Sequence, residues 1–242
     1  MLRSAGVLWD QSLPGMTKAQ RAQIWDELNR VISKLHSIDT RAAGLEDFGK
    51  AGSYIERQVG RWSKQYLASE TVEIEAMDKL IAWLPKNIPA AGETTIVHGD
   101  YRLDNAVFHP TEPRILAVLD WELSTLGDPL ADFSYHCMSW HTPPAKFRGI
   151  AGLPLAELGI PGEREYVAAY CRRTGRRGID PSTWDYYMAY NLFRIAAITQ
   201  GIAKRVVDGT AASEYAREAG SRTRPLAELG WAQVERILKR TA

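Results

Sequence analysis

Apolar residues at Ile24, Leu28, Val31 and Leu35 fall three or four positions apart, the spacing that gathers them on one face of a helix. Thr17 and Gln20 stand just ahead of this stripe as a T-x-x-Q capping box, which predicts that the helix begins there. Similar stripes at Ile55, Val59, Trp62 and Tyr66, and at Ile74, Met77, Ile81 and Leu84, predict two further helices, and Pro85 ends the second of these. Glycine and alanine between Ala42 and Gly52 mark a loop between the first two helices.

The pattern changes at Thr94. A short β-favouring run, Thr94 to Val97, leads into His98-Gly99-Asp100, and a second run covers Ala106 to Phe108. Pro110-Thr111-Glu112-Pro113 reads as a turn, and Ile115 to Leu119 is too short and too β-branched for a helix. The runs on either side of that turn are therefore predicted to pair as an antiparallel hairpin. Helical spacing returns at Leu130 to Trp140, Glu163 to Thr174, Pro181 to Val207 and Ala211 to Arg240, with a Gly/Pro-rich loop over Thr142 to Gly162. The fold class is thus α+β, mostly helical, with one hairpin.

Composition adds exclusions more than assignments. With 45% hydrophobic and 24% charged residues the chain can bury a full core. Its 30 Lys and Arg nearly balance 29 Asp and Glu, so overall charge favours neither nucleic acid nor an anionic membrane. Cys137 and Cys171 form no CxxC pair and sit among apolar and aromatic neighbours, as buried thiols of a reducing compartment do. No stretch approaches the roughly eighteen apolar residues of a membrane span, and Met1 to Asp10 has no signal-peptide pattern. Together these features predict a cytoplasmic location.

The chemistry is concentrated in His98-Gly99-Asp100-Tyr101-Arg102-Leu103-Asp104-Asn105 and in Asp120 at the end of the hairpin. In an antiparallel hairpin the start of the first strand lies beside the end of the second, so Asn105 and Asp120 are expected side by side. A carboxylate and an amide oxygen together make a hard oxygen site suited to Mg²⁺, which takes few protein ligands and keeps water and phosphate on its other positions. Asp100, one loop away, could accept the proton of an attacking hydroxyl. The bland alternative is that Asp and Asn merely flank strands as turn formers. For Arg102 and Glu122 both alternatives stay open. Asp104 is expected to be a solvated loop residue, His36 a satisfied helix-end residue, and His109, His136 and His141 show no metal-ligand spacing. The run Trp184, Tyr186, Tyr187, Tyr190 and Phe193 is expected to be core on one face, with one or two members lining an acceptor pocket.

The blocks HGDYRLDN, LDWE and GDPLADFS, in that order, resemble the aminoglycoside phosphotransferase and choline kinase superfamily, in particular a branch of small-molecule kinases associated with acyl-CoA dehydrogenases. The likeness extends to Val7-Leu8-Trp9-Asp10 with Leu13-Pro14-Gly15, and to Phe193-Arg194-Ile195-Ala196 with Gln200-Gly201. It implies a protein-kinase-like C-terminal lobe over 1–242, with a catalytic and metal-binding core at 94–132 and a helical acceptor-site subdomain at 133–242. It makes Asp100 the catalytic base, Asn105 and Asp120 the ligands of Mg²⁺ and hence of the nucleotide, and Arg102 a contact to the transferred phosphate. Asp132 would be the buried carboxylate that holds the catalytic loop, with His98 and Asp128 supporting it.

The implied reaction moves the γ-phosphoryl of ATP or GTP to a small-molecule hydroxyl. Trp121-Glu122 after Asp120, and no Ala-Pro-Glu motif, set the chain apart from protein kinases. Between Trp121 and Ala242, 16 Lys and Arg stand against 13 Asp and Glu, which favours a neutral or anionic acceptor over a polycationic aminoglycoside; the resemblance to the acyl-CoA dehydrogenase-associated branch implies a hydroxy acid or hydroxyacyl-CoA. No G-x-G-x-x-G precedes His98 and the residues before it read as helices, so the nucleotide-binding N-terminal lobe is expected to be absent. That leaves a non-catalytic binding lobe as a rival. A hydrolase using Asp100 and Asp120 as acid and base is another, although it leaves Asn105 and the GDPLAD block unexplained. Homodimerisation is left open.

Overall fold

The computed structural model describes residues 6–7, 10–50, 52–90, 92–147, 149–211 and 215–241. In chain order the elements are β1 (Gly6–Val7), α1 (Lys18–His36), α2 (Tyr54–Ser69), α3 (Glu75–Trp83), β2 (Thr95–Val97), β3 (Ala106–Phe108), β4 (Ile115–Val118) and β5 (Thr125–Gly127). There follow α4 (Pro129–Cys137), α5 (Pro144–Phe147), α6 (Leu155–Leu158), α7 (Glu163–Arg173), α8 (Pro181–Val207), α9 (Ala216–Gly220) and α10 (Thr223–Thr241).

Two compact units divide the chain. The first comprises Met1–Ala51 and Glu93–Ile179, the second Gly52–Gly92 and Asp180–Ala242. Residues 133–179 fall in the first unit, where α4 packs with β2 and α6 and α7 with α1, and 180–242 in the second, where α8 packs with α2, α9 and α10 and α10 with α3.

In the first unit, β3 is the middle strand of a sheet ordered β1-β3-β4. It pairs antiparallel with β4 through Ala106 opposite Val118 and Val107 opposite Ala117. The turn closes where His109 N–H donates to the Arg114 carbonyl (2.8 Å), and His109 Nδ1 accepts the N–H groups of Thr111 and Glu112. β1 was not foreseen, being too short for its period to register. Leu8 and Trp9 of the Val7-Leu8-Trp9-Asp10 block lie outside the described residues. β2 pairs with β5, also unforeseen, with Ile96 opposite Leu126.

Helix α1 has the predicted capping box: the Thr17 hydroxyl accepts from Gln20 N–H, and the Gln20 side chain accepts from Thr17 N–H. Its buried stripe runs one position off the predicted one. Ile24, Trp25, Leu28, Ile32 and His36 are buried, while Val31 and Leu35 are half-exposed. Trp25 explains the rotation, for its ring packs edge-on against Trp140 (4.7 Å between centroids) and Tyr166 (5.8 Å), and large rings decide which face is worth most to bury. Glu27, on the same helix, accepts the Ile115 N–H at 3.0 Å and pairs with Arg30, fastening the start of β4 to α1. Burial pushes the Glu27 carboxyl up, but Arg30 and the Ile115 N–H outweigh it and hold it below the ordinary value.

The second unit is a helical bundle around α8, which begins as predicted at Pro181 with the Asp180 carboxylate capping Thr183 N–H (2.8 Å). Tyr186, Tyr187, Tyr190 and Phe193 are core residues. A Cβ on Gly230 would stand 3.2–3.4 Å from Leu80, Leu192 and the Ala189 carbonyl, so this glycine lets α10 approach α8 closely. The single helix predicted for Ala211 to Arg240 is two, α9 and α10, with 212–214 outside the described residues. Pro225 gives the reason: without an N–H it is tolerated only in a helix's first turn, so α10 has to begin just before it.

Candidate active site

The segment from His98 to Asn105 is held from beneath by α4. Asp128 caps this helix, accepting Leu130 N–H at 2.8 Å, and Pro129 occupies the first turn, where its missing N–H costs nothing. One turn in, the buried Asp132 carboxylate accepts the N–H of His98 (2.7 Å) and of Gly99 (2.9 Å) and meets His36 Nε2 at 3.1 Å. His36 Nδ1 in turn meets the Tyr170 hydroxyl at 2.8 Å. Burial pushes the Asp132 carboxyl up, but His36 and the two backbone donors outweigh it and hold it below the usual aspartate value. Gly99 has φ +84°, and a Cβ there would lie 2.8 Å from the Leu123 carbonyl oxygen, so the middle residue of His-Gly-Asp has to be glycine.

Asp100 follows. Its Oδ1 accepts a hydrogen bond from the Tyr135 hydroxyl and its Oδ2 accepts from Asn105 Nδ2 at 3.0 Å. The same Asn105 nitrogen donates to the Asp100 backbone carbonyl at 2.8 Å. Only the NH₂ end of an amide can face a carbonyl and a carboxylate at once, so Asn105 Oδ1 is turned the other way. Arg102 pairs with Asp104, and its Nε stands 3.9 Å from Asp100 Oδ1. Burial pushes the guanidinium down while Tyr135, Asp104 and Asp100 push it up, and the net result lies above the ordinary arginine value. Asp104 is thus an ion-pair partner with a side chain only 10% exposed, correcting the expectation of a solvated loop residue.

At the far end of the hairpin, Leu119 N–H donates to the Asn105 carbonyl at 2.8 Å, extending the β3–β4 ladder to the residue before Asp120. Asp120 then turns into the left-handed region, φ 66° and ψ 54°, a conformation in which Asp and Asn are tolerated better than most side chains. Its carboxylate is exposed, and among the described residues no hydrogen bond or ion pair reaches it. His98 ties this end to the loop: Asp100 N–H donates to Nδ1 (3.2 Å), which leaves the proton on Nε2 to donate to the Leu119 carbonyl (2.8 Å). A hard cation fits this arrangement, because Asn105 Oδ1 and both Asp120 oxygens are left over after the internal hydrogen bonds are made.

Tyr135 is the residue the sequence reading missed. Its signal was its place three residues after Asp132, on the same side of α4. The remaining histidines have protein partners: His136 Nε2 meets the Tyr166 hydroxyl (2.7 Å), with burial driving its pKa down to about 4, and His141 Nε2 meets Glu163 (2.7 Å). A groove of about 690 Å³ lies elsewhere in the first unit, lined by Gln23, Asp26, Pro113, Ile160, Glu165 and Arg172 among others, and none of the residues around Asp100 borders it.

The sequence profile of the phosphotransferase enzyme family matches residues 4–187, which takes in this whole site. The chain belongs to that family. The phosphotransferase chain is 47% identical over 229 residues to acyl-CoA dehydrogenase family member 10 of Mus musculus, a match covering 93% of this chain and 21% of that protein. It spans between a fifth and a third of the curated relatives it matches, 30% in the case of acyl-CoA dehydrogenase family member 11 of the same organism. A crystal structure from Ralstonia eutropha JMP134, assigned to the aminoglycoside phosphotransferases, is 60% identical with a TM-score of 0.92, covering 96% of this chain and 71% of that one. Choline kinase from Cryptosporidium parvum has the same fold at 11% identity, with a TM-score of 0.62 over 96% of this chain and 70% of its own.

Proposed function

We propose that this phosphotransferase chain is the catalytic lobe of a small-molecule kinase that moves the γ-phosphoryl of ATP or GTP to an alcohol. The observation that carries this is the division of labour around Asn105: its nitrogen fixes the Asp100 carboxylate and its oxygen is left over beside the end of β4, where Asp120 stands unpartnered among the described residues. Asp100 accepts the acceptor hydroxyl's proton as its oxygen bonds to the γ-phosphorus and the bond from that phosphorus to the β–γ bridging oxygen breaks, releasing the nucleoside diphosphate. Mg²⁺, held by Asn105 and Asp120, would supply neutralisation of phosphate charge. Arg102, set between Asp104 and Asp100, offers its remaining N–H groups to the transferred group. His98 keeps the Asp100 and Asp120 ends in register, and Asp128 and Asp132 anchor the loop to α4.

The domain reading is one lobe over 1–242, with its catalytic and metal-binding core at 94–132 and a helical acceptor-site subdomain at 133–242. The acceptor is neutral or anionic: the basic excess beyond Asp120 and the acyl-CoA dehydrogenase names of the relatives support a hydroxy acid or hydroxyacyl-CoA. The test offers γ-labelled ATP and GTP with Mg²⁺ to the chain, alone and fused to a nucleotide-binding lobe, with hydroxy acids, hydroxyacyl-CoA thioesters and an aminoglycoside as acceptors. Label on a hydroxy acid or thioester is expected. Label released only as inorganic phosphate, or acceptor cleaved without nucleotide, would overturn the kinase reading.

A further inference from the structure

Helix α4 grips the catalytic loop twice with one face. Asp132 takes the N–H groups of His98 and Gly99, and Tyr135, one turn on, reaches the next residue by donating its hydroxyl to Oδ1 of Asp100. Side chains at i and i+3 project from the same side of a helix, so three consecutive loop residues are held by one pair. Asp132 fixes backbone and Tyr135 fixes the carboxylate. The tyrosine is 8% exposed and its ring is packed, so the hydroxyl's position is set by the core.

What the hydroxyl prevents is as informative as what it binds. The Tyr135 hydroxyl also meets the Arg102 side chain, whose buried Nε makes no hydrogen bond of its own among the described residues and is already ion-paired, at 3.9 Å, with the Asp100 oxygen that Tyr135 occupies. A carboxylate released from the phenol has a charged donor within one rotamer change. Closing that pair would withdraw both the proton acceptor and the cation from the acceptor hydroxyl. The Asn105 bond to Oδ2 alone leaves the carboxylate one donor on which to pivot.

We propose that Tyr135 is a positioning residue for phosphoryl transfer, fixing the Asp100 carboxylate so that it does not close the remaining gap to the Arg102 guanidinium. This rests on Asp100 being the base. Tyr135→Phe removes only the hydroxyl, and in the chain fused to a nucleotide-binding lobe kcat is expected to fall on the order of 10- to 10²-fold. The KM for the acceptor and the Mg²⁺ requirement should stay as in the parent. A second readout needs no turnover: unfolding of the chain is measured for Tyr135→Phe in the parent and in an Asp100→Ala background. The hydroxyl–carboxylate bond should make the substitution cost about tenfold in the unfolding constant in the parent and little beside alanine. An unchanged kcat for Tyr135→Phe, a raised acceptor KM with kcat intact, or equal stability losses in both backgrounds would each overturn the proposal. Turnover retained by Asp100→Asn would instead overturn the base assignment and the positioning role with it, while the unfolding pair would still report whether the bond exists.

Discussion

Asp132 and Asp120 are both aspartates within reach of the catalytic loop, and they are treated in opposite ways. Asp132 is 4% exposed, and its two oxygens are filled by His36 and the N–H groups of His98 and Gly99. Asp120 is exposed, sits in a left-handed backbone conformation and has no partner among the described residues. A carboxylate whose lone pairs are all spent inside the protein has nothing left for a ligand. One that is held in a costly conformation with its lone pairs unspent has no internal reason to be there. The difference separates residues that build the loop, such as Asp132, from residues left free to offer chemistry, the role the proposed function gives Asp120.

The largest effect on the fold should come from breaking the filled carboxylate. Asp132→Ala leaves two buried N–H groups and a buried imidazole without their acceptor, and removing one partner of such a cluster typically costs about 3–5 kcal/mol. Denaturant unfolding followed by circular dichroism would measure it. The pH dependence has a definite sign. Because the folded Asp132 carboxyl is held below the ordinary aspartate value of about 3.9, its stabilisation is complete above that value and is lost as pH falls through the lower folded one. Asp132→Asn should therefore lower stability at neutral pH and flatten the acid limb, so that parent and variant converge in strong acid. A constant gap at all pH values would show that the charge is not what matters.

On the chemical side, Asp100→Asn should leave the Mg²⁺ requirement near that of the parent while turnover falls by about 10²–10⁴-fold, the usual range for a lost general base. A rise in the Mg²⁺ needed for half-maximal activity, equal to that caused by changing Asp120, would mean that Asp100 is a ligand and that the two roles have been misassigned.

How far the sequence reached follows the same divide. Helical spacing located the longer helices, though not α5 and α6 inside the stretch read as a loop, because a period of three to four survives a shift of one residue, as it did in α1, where Trp25 rotated the buried face. The hairpin was legible from Pro110 to Pro113 and its β-branched flanks. β5 was not, because Thr125 to Gly127 is a strand only through its pairing with β2. The bond between Tyr135 and Asp100 and the ion pair of Arg102 with Asp104 were invisible for another reason: each depends on where a side chain ends, and motif order carries no such information. The packing of α8 with α2 depends on tertiary contacts, which no local window contains.

A smaller effect should appear at Gly99, which lies between the two aspartates' territories. Alanine there would put a Cβ 2.8 Å from the Leu123 carbonyl at φ +84°, and strain of this kind costs on the order of 1–3 kcal/mol. Since Leu123 belongs to the turn that follows Asp120, relief by shifting that turn should disturb Asp120 as well. Stability and the Mg²⁺ requirement are both expected to suffer in Gly99→Ala. Loss of stability with an unchanged Mg²⁺ requirement would show that the Asp120 turn is fixed independently of the loop.

The smallest expected change in stability tests the comparison most sharply. Asparagine tolerates the left-handed region about as well as aspartate does, and the Asp120 carboxylate has no partner among the described residues to lose. Asp120→Asn should thus alter unfolding stability by no more than about 0.5 kcal/mol, as an exposed substitution usually does. Alanine at the same position should cost about 1–2 kcal/mol for backbone reasons alone, because its Cβ crowds the carbonyl at positive φ. Function should separate from stability in the asparagine variant: with a charged ligand gone, the Mg²⁺ concentration for half-maximal activity should rise at least about tenfold, the loss commonly seen even when only a ligand's supporting group is removed. Urea midpoints and Mg²⁺ titrations of parent, Asp120→Asn and Asp120→Ala make the measurement. If Asp120→Asn proved as destabilising as a change at Asp132, Asp120 would belong with the residues that build the loop, and the cation site would lose its principal ligand.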